Sequence, residues 1–169
     1  MSPLQFASVA VVSYLGLFAG FFLASLTKEE LPTGRRYFPW LQRLIILAVV
    51  AVTMNFFGFG LVIKFFTYAI LLLLLTLKIN LQLAYTVFGV FLFAVSSSSN
   101  TLLMVASLVF VFGLLSGSNY FAGSVRKKSD MVGEAKSLLV KNSIYVVVAL
   151  TLFLLFGKIG LVRLMLQLR

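Results

Sequence analysis

The four acidic side chains are the first candidates for chemistry, and they lie in two short polar stretches. Glu29 and Glu30 belong to one stretch, and Asp130 and Glu134 belong to the other. Paired carboxylates can act as acid and base or hold Mg²⁺ against a phosphate. Neighbouring residues on a helix point apart, however, and nothing in the sequence brings the two stretches together. Since His and Cys are also absent, we predict no enzyme, no metal and no cofactor, with lipid-phosphate chemistry at the loop arginines and acids left open.

The composition outside the polar stretches is that of a membrane protein. Of 169 residues, 62% are hydrophobic and 11% are charged, whereas soluble domains carry about 25% charged residues. Several long apolar runs follow one another, as in transmembrane helices. The first run has no basic region before it, so we interpret it as a retained helix and not as a cleaved signal. The sequence predicts an all-α fold, a polytopic transmembrane helix bundle in which residues 1–169 form a single integral membrane domain.

The apolar runs predict six spans, with five as the alternative, plus short interfacial helices. The predicted spans are Leu4–Leu26, Leu41–Gly60, the run between Lys64 and Lys78, Leu81–Val95, Thr101–Leu115 and Asn142–Phe156. An amphipathic pattern over 131–141 predicts a helix on the membrane surface that leads into the last span. The run after Gly157 predicts an interfacial tail helix, and a continuous tilted segment from Asn142 onward is the alternative.

Glycines recur at helical spacing in two of the predicted spans. Gly16 and Gly20 form one GxxxG pair, and Gly113 and Gly117 form another at the end of the fifth segment. Such pairs let a neighbouring helix approach closely, although glycine is also common in transmembrane helices in general. We interpret the two pairs as sites of helix packing or of contact between copies.

Isolated polar residues within the apolar runs are the candidate binding points. Lys64 and Lys78 leave fewer uncharged residues between them than the roughly 20 of a transmembrane helix. They therefore reach opposite interfaces, or one of them points into the bundle. Asn55 lies near the end of the second span, where an amide commonly hydrogen-bonds to another helix. A polar tract separates the fourth and fifth segments and consists of Ser96, Ser97, Ser98, Ser99 and Asn100. Its side chains either hydrogen-bond to nearby backbone groups or line a lumen.

Basic and aromatic residues in the polar stretches 27–43 and 118–141 give the predicted orientation. With both termini outside, ten of the 14 lysines and arginines are cytoplasmic, which follows the positive-inside rule. We predict a multi-pass protein of the cell membrane with both stretches cytoplasmic, and anionic lipid headgroups as partners. Nucleic acid is not predicted, because no basic soluble region is present. The candidate headgroup contacts are Arg35, Arg36, Trp40, Arg43, Arg126, Lys127 and Lys128.

Two functions are compatible with these features. The first is a non-catalytic integral membrane protein that acts as a homo-oligomer, or as a subunit of a larger membrane complex, through small-residue helix packing. The alternative is a small channel or permease for a neutral or anionic solute, with Lys64, Asn55 and the serine tract inside the bundle. No ionisable relay lies at mid-span and no known ion-filter motif occurs, so the sequence favours the first.

Overall fold

Every element in the described part of the chain is an α-helix. The computed structural model describes residues 2–27, 37–76, 80–124 and 131–156. The all-α fold class predicted from the sequence is confirmed for these residues. The helices are α1 (Pro3–Leu26), α2 (Phe38–Phe57), α3 (Leu61–Thr76), α4 (Leu81–Ala94), α5 (Ser99–Ser124), α6 (Met131–Asn142) and α7 (Ile144–Phe156).

The helices differ in whether they are long enough to cross a membrane. The apolar helical runs Leu61–Leu72 and Leu81–Ala94 are shorter than the roughly 20 residues of a complete span. The molecule is thus a helical bundle suited to a membrane, and the count of six spans stays a prediction. In the described part of the chain, four helical runs are long and apolar enough to cross a membrane, namely Pro3–Leu26, Phe38–Phe57, Ser99–Gly123 and Gly133–Phe156.

The last two long helical runs extend beyond the segments predicted from the sequence. α5 continues past Leu115 because its polar residues face other helices, as when the Ser118 hydroxyl donates to the Gly20 carbonyl at 3.0 Å. α6 does not lie apart from the bundle, since Leu138 is buried in the core. Together with α7 it forms the candidate span Gly133–Phe156, which begins well before the predicted start at Asn142.

The ends of the helices follow from local capping. Ser2 and Gln5 form a capping box at the start of α1, and Asn80 accepts hydrogen bonds from the first turn of α4. Ser98 accepts from the backbone N–H of Thr101, at 3.4 Å, and so caps α5. α2 ends at Gly58, whose φ of 60° lies in the left-handed region that glycine adopts without strain.

α1 and α5 form the centre of the bundle and run parallel. Gly16 lies at the level of Phe110, and Gly20 at the level of Leu114. α7 runs antiparallel to α1, because Phe6 stacks on Phe153 while Ser13 contacts Tyr145. α2 also packs on α5, and α4 packs mainly on α7. The one substantial contact of α3 with another described helix is with α2, so α3 stands at the edge of the bundle.

Candidate functional site

The turn between α2 and α3 brings two candidate polar residues together. The N–H of Gly58 donates to the Asn55 carbonyl, and the N–H of Phe59 donates to the Met54 carbonyl. These two bonds form a Schellman motif, which closes α2 and reverses the chain. The Lys64 ammonium on α3 then donates to Oδ1 of Asn55 at 2.6 Å. The ammonium therefore lies at the closed end of the α2–α3 hairpin, which is the end of the bundle where α1 begins.

The serine tract lies in the turn between α4 and α5, at the same end of the bundle. Ser98 caps α5 through its side chain, whereas Ser97, Ser99 and Asn100 are exposed and Ser96 is half-buried. The N–H of Ser96 donates to the Phe93 carbonyl in the last turn of α4, and the N–H of Ser98 donates to the carbonyl of Val95, which directly follows α4. The tract thus closes one helix and starts the next, and the described contacts do not join it to Lys64.

The four GxxxG glycines face one another within the chain. A Cβ on Gly16 would overlap the carbonyl oxygen of Phe110, and one on Gly20 would overlap that of Leu114. On the facing helix α5, a Cβ on Gly113 would lie 2.6 Å from the amide nitrogen of Leu17. The backbones of α1 and α5 therefore touch, which is the close approach that small residues allow. This geometry buries both glycine faces inside one molecule, so neither face is free to bind a second copy.

A cluster of tyrosines fills the centre of the bundle beside the glycines. The Ser13 hydroxyl donates to the Ala10 carbonyl at 2.9 Å, so it accepts from the Tyr145 hydroxyl at 2.7 Å. The Tyr14 hydroxyl donates to the Leu139 carbonyl, which joins α1 to α6. Tyr85 packs edge-on against both other tyrosines, and its hydroxyl is buried without a hydrogen-bond partner among the described residues.

These tyrosines were not singled out from the sequence, although a signal existed. Tyrosines in membrane proteins concentrate at the two interfaces, where the ring is apolar and the hydroxyl is wet. Tyr14 lies in the middle of α1, and Tyr145 lies in the middle of the run Gly133–Phe156. A tyrosine at mid-span requires a partner for its hydroxyl inside the bundle. That requirement would have predicted side-chain hydrogen bonds between these helices.

Removing one hydroxyl at a time tests which tyrosine bond stabilises the bundle. We expect Tyr145→Phe to lower the free energy of unfolding by about 1 kcal/mol, because the bond to Ser13 is lost in a dry interior. Tyr85→Phe is the matched control and should be neutral or stabilising, because it removes a buried hydroxyl that has no partner among the described residues. Unfolding in mixed micelles with increasing SDS measures both variants. Equal effects of the two substitutions would contradict this assignment.

Polar contacts also connect helices at the other end of the bundle. The buried amide of Gln42 donates to the Ser116 hydroxyl at 3.0 Å, which ties α2 to α5. Beside this bond lies a cavity of about 150 Å³, which Asn119 also lines. The Tyr120 hydroxyl donates to the Glu134 carboxylate at 2.8 Å and joins α5 to α6. Glu134, a candidate for acid chemistry, therefore accepts a bond that holds two helices together.

Two residues of the predicted headgroup site, Trp40 and Arg43, lie in the described part of the chain. Trp40 is exposed, and the guanidinium of Arg43 lies 5.3 Å from the centre of its ring. This is within the range of a cation–π contact. Nε of Arg43 is buried without a hydrogen-bond partner among the described residues. The remaining headgroup candidates lie outside the described residues, namely Arg35, Arg36, Arg126, Lys127 and Lys128. The acidic residues Glu29, Glu30 and Asp130 also lie outside them.

Described residues line a groove on each of two sides of the bundle. The larger, about 450 Å³, lies between α2, α3 and α4, and we call it the α2–α3–α4 groove. Its lining is almost wholly apolar, with Thr53 and Thr67 as the hydroxyl-bearing residues. The second, about 420 Å³, lies between α1 and α5 and includes Ser8 and Ser107. The three hydroxyls of this second groove, those of Ser8, Ser13 and Ser107, each donate to a carbonyl of their own helix.

The described residues do not form a metal site of the usual acidic, His or Cys type. Among residues 2–27, 37–76, 80–124 and 131–156, no group of three or more such side chains comes together. The arrangement that the structure does present is a packed helical bundle with apolar outer faces, as a membrane-embedded protein requires. Comparison of the chain with protein-family models, with curated proteins and with solved structures gives no match.

Proposed function

We propose that this chain is a non-catalytic integral membrane protein that works as a structural part of a membrane assembly. It would act as a homo-oligomer or as a subunit of a larger membrane complex. The observation that carries the proposal is the position of α3, whose one substantial contact in the described part is with α2. α3 exposes large apolar side chains that do not line the α2–α3–α4 groove, including Val62, Phe65 and Phe66.

The length of α3 favours a protein neighbour over lipid alone. α3 has 16 residues, fewer than the roughly 20 that span the hydrocarbon region. A short apolar helix can relieve this mismatch by associating with other helices. α4 is shorter still, with 14 residues, but α5 and α7 already pack against it. α3 is therefore the helix that gains most from a second copy of the chain.

This proposal moves the association surface away from the glycine pairs. The sequence alone favours contact between copies through Gly16, Gly20, Gly113 and Gly117, but α1 and α5 use these glycines against each other. A bundle whose central helices are already joined can present an outer helix to a partner without rearrangement. The expected oligomer therefore forms between folded copies and does not depend on the glycine pairs.

Disulfide cross-linking tests the proposal, because the chain contains no cysteine. We expect Val62→Cys or Phe65→Cys on α3 to give a cross-linked dimer in native membranes under mild oxidation. Val147→Cys on α7 and Val12→Cys on α1 are matched controls, since both residues are exposed on other helices. Positions along α3 should cross-link with helical periodicity. Cross-links at the controls as strong as those on α3, or none on α3, would count against an α3 interface.

The second candidate function is a permease or pore for a neutral or anionic solute. The observation that favours it is the 2.6 Å contact between Lys64 and Asn55, at the same end of the bundle as the serine tract. An ammonium and an amide together could bind an anion as it enters. Purified protein in liposomes tests this directly: flux that Lys64→Met abolishes would support the permease, and sealed liposomes would support the structural role.

A further inference from the structure

The α2–α3–α4 groove has the shape and the lining of a site for a hydrocarbon chain. It extends inward from Phe59, in the turn after α2, to the level of Val50 and Leu71. Over the helical part this is a depth of very roughly 10–15 Å, at 1.5 Å per residue. Its volume of about 450 Å³ lies within the usual range for small-molecule sites. Since no water fills an apolar groove at membrane depth, hydrocarbon is its natural content.

Among the described residues, the ammonium of Lys64 is a cation at the end of the α2–α3 hairpin from which the groove extends, although Lys64 does not itself line the groove. Lys64 precedes the lining residue Thr67 by one helical turn, so both lie on the same side of α3. The Lys64 ammonium has three N–H donors, and Asn55 is its one partner among the described residues.

The charge beside the groove has no acidic counterpart nearby in the described structure. Glu134 is the one acidic side chain in the described ranges, and it lies at the opposite end of the bundle beside Tyr120. A partly buried ammonium at a membrane interface is stabilised by an anion. The groove and the Lys64 ammonium together therefore match an amphiphile that has an apolar chain and a negative headgroup.

We infer that the α2–α3–α4 groove binds a membrane lipid with an anionic headgroup. One acyl chain lies along Thr53, Thr67 and Leu71, and the phosphate or carboxylate of the headgroup accepts a hydrogen bond from Lys64. The lipid thereby fills the space between the edge helix α3 and α4. This inference is independent of the proposed assembly, because it uses the inner side of α3 and leaves the outer side unoccupied.

Native mass spectrometry of the protein in mild detergent tests the site with two lipids of the same chain length. We expect phosphatidylglycerol to be retained about five-fold more than phosphatidylcholine, the ratio that corresponds to about 1 kcal/mol for one lysine near an anionic lipid. Lys64→Met should abolish this preference. Lys141→Met is the matched control, because it removes an exposed lysine from α6, and it should leave the preference unchanged.

A second variant tests the groove and leaves the charge in place. Ala94→Phe puts a large side chain at the end of the groove and should lower the retention of both lipids at least three-fold. The charge-state distribution in the same spectra reports whether each variant is folded. A preference that survives Lys64→Met, an equal loss with Lys141→Met, or full retention with Ala94→Phe would overturn the inference. Glycerol phosphate has no acyl chain. If it competed as strongly as the intact lipid does, the inference would also be overturned.

Discussion

Gly16→Ala is expected to lower the free energy of unfolding by at least ~2 kcal/mol, although it adds a single methyl group. The new Cβ would overlap the carbonyl oxygen of Phe110, which belongs to the backbone of α5. A backbone atom cannot rotate away as a flexible side chain can, so the two central helices must move apart. Their separation would also lengthen the hydrogen bond from Ser118 to the Gly20 carbonyl.

Gly123→Ala is the matched control for this substitution. Gly123 also lies in α5, but among the described residues no atom apart from its chain neighbours and the backbone of its own helix lies within 4 Å of the position that its Cβ would take. Alanine is favoured over glycine within a helix by up to about 1 kcal/mol, so this variant should be neutral or more stable. Unfolding in mixed micelles with SDS gives both values. An equal response to the two substitutions would mean that α1 and α5 do not touch at Gly16.

The glycine variants also separate folding from association. If Gly16 and Gly20 held copies together, leucine at both positions would give a folded monomer with normal helix content. The contacts with α5 predict the opposite result, which is loss of the folded bundle before any change in oligomeric state. Far-ultraviolet circular dichroism and size-exclusion chromatography on the same preparation distinguish these outcomes.

The glycine spacing predicted a close helix contact but could not identify its partner. A GxxxG pair shows which face of a helix is flat, and a flat face fits another flat face in the same chain or in a second copy equally well. Which of these is realised depends on how the intervening helices return the chain, and α2, α3 and α4 all lie between α1 and α5. Local patterns do not encode that arrangement.

The sequence pattern around Lys64 and Asn55 comes close to predicting that these two residues are in contact. Both residues were candidate polar points, and Gly58 between them marks a turn. A glycine that ends a helix and a second helix that starts at Leu61 place the two polar residues near each other at the end of a hairpin. What the sequence could not supply is the rotation of each helix about its axis, which turns the lysine toward Asn55.

The length of α5 was the clearest error of segment prediction, and its cause is physical. Ser116, Ser118 and Asn119 resemble the start of a polar loop when only their types are considered. In the bundle, Ser116 accepts a bond from Gln42 and Ser118 donates to α1, so the helix continues to Ser124. Polar residues that are satisfied inside a membrane bundle stabilise helix contacts, and hydropathy alone cannot distinguish them from solvated residues.

Phe112→Ala is expected to have the second large effect, a loss of about 3–5 kcal/mol in the free energy of unfolding. Phe112 is fully buried, and its ring centre lies 4.8 Å from that of Phe88 and 5.7 Å from that of Tyr85. Alanine there would leave a cavity at the contact between α5 and α4. The cost is high because α4 is short and depends on packing for its position.

Phe66→Ala on α3 is the control, because it removes the same group from a side chain that is 62% exposed. No cavity forms at such a position, so the change in stability in SDS titrations should stay below about 1 kcal/mol. The contrast also tests the edge position of α3 independently of any oligomer. If Phe66→Ala were as damaging in isolated monomers as Phe112→Ala, α3 would have to be packed into the core, and its outer face could not serve a partner.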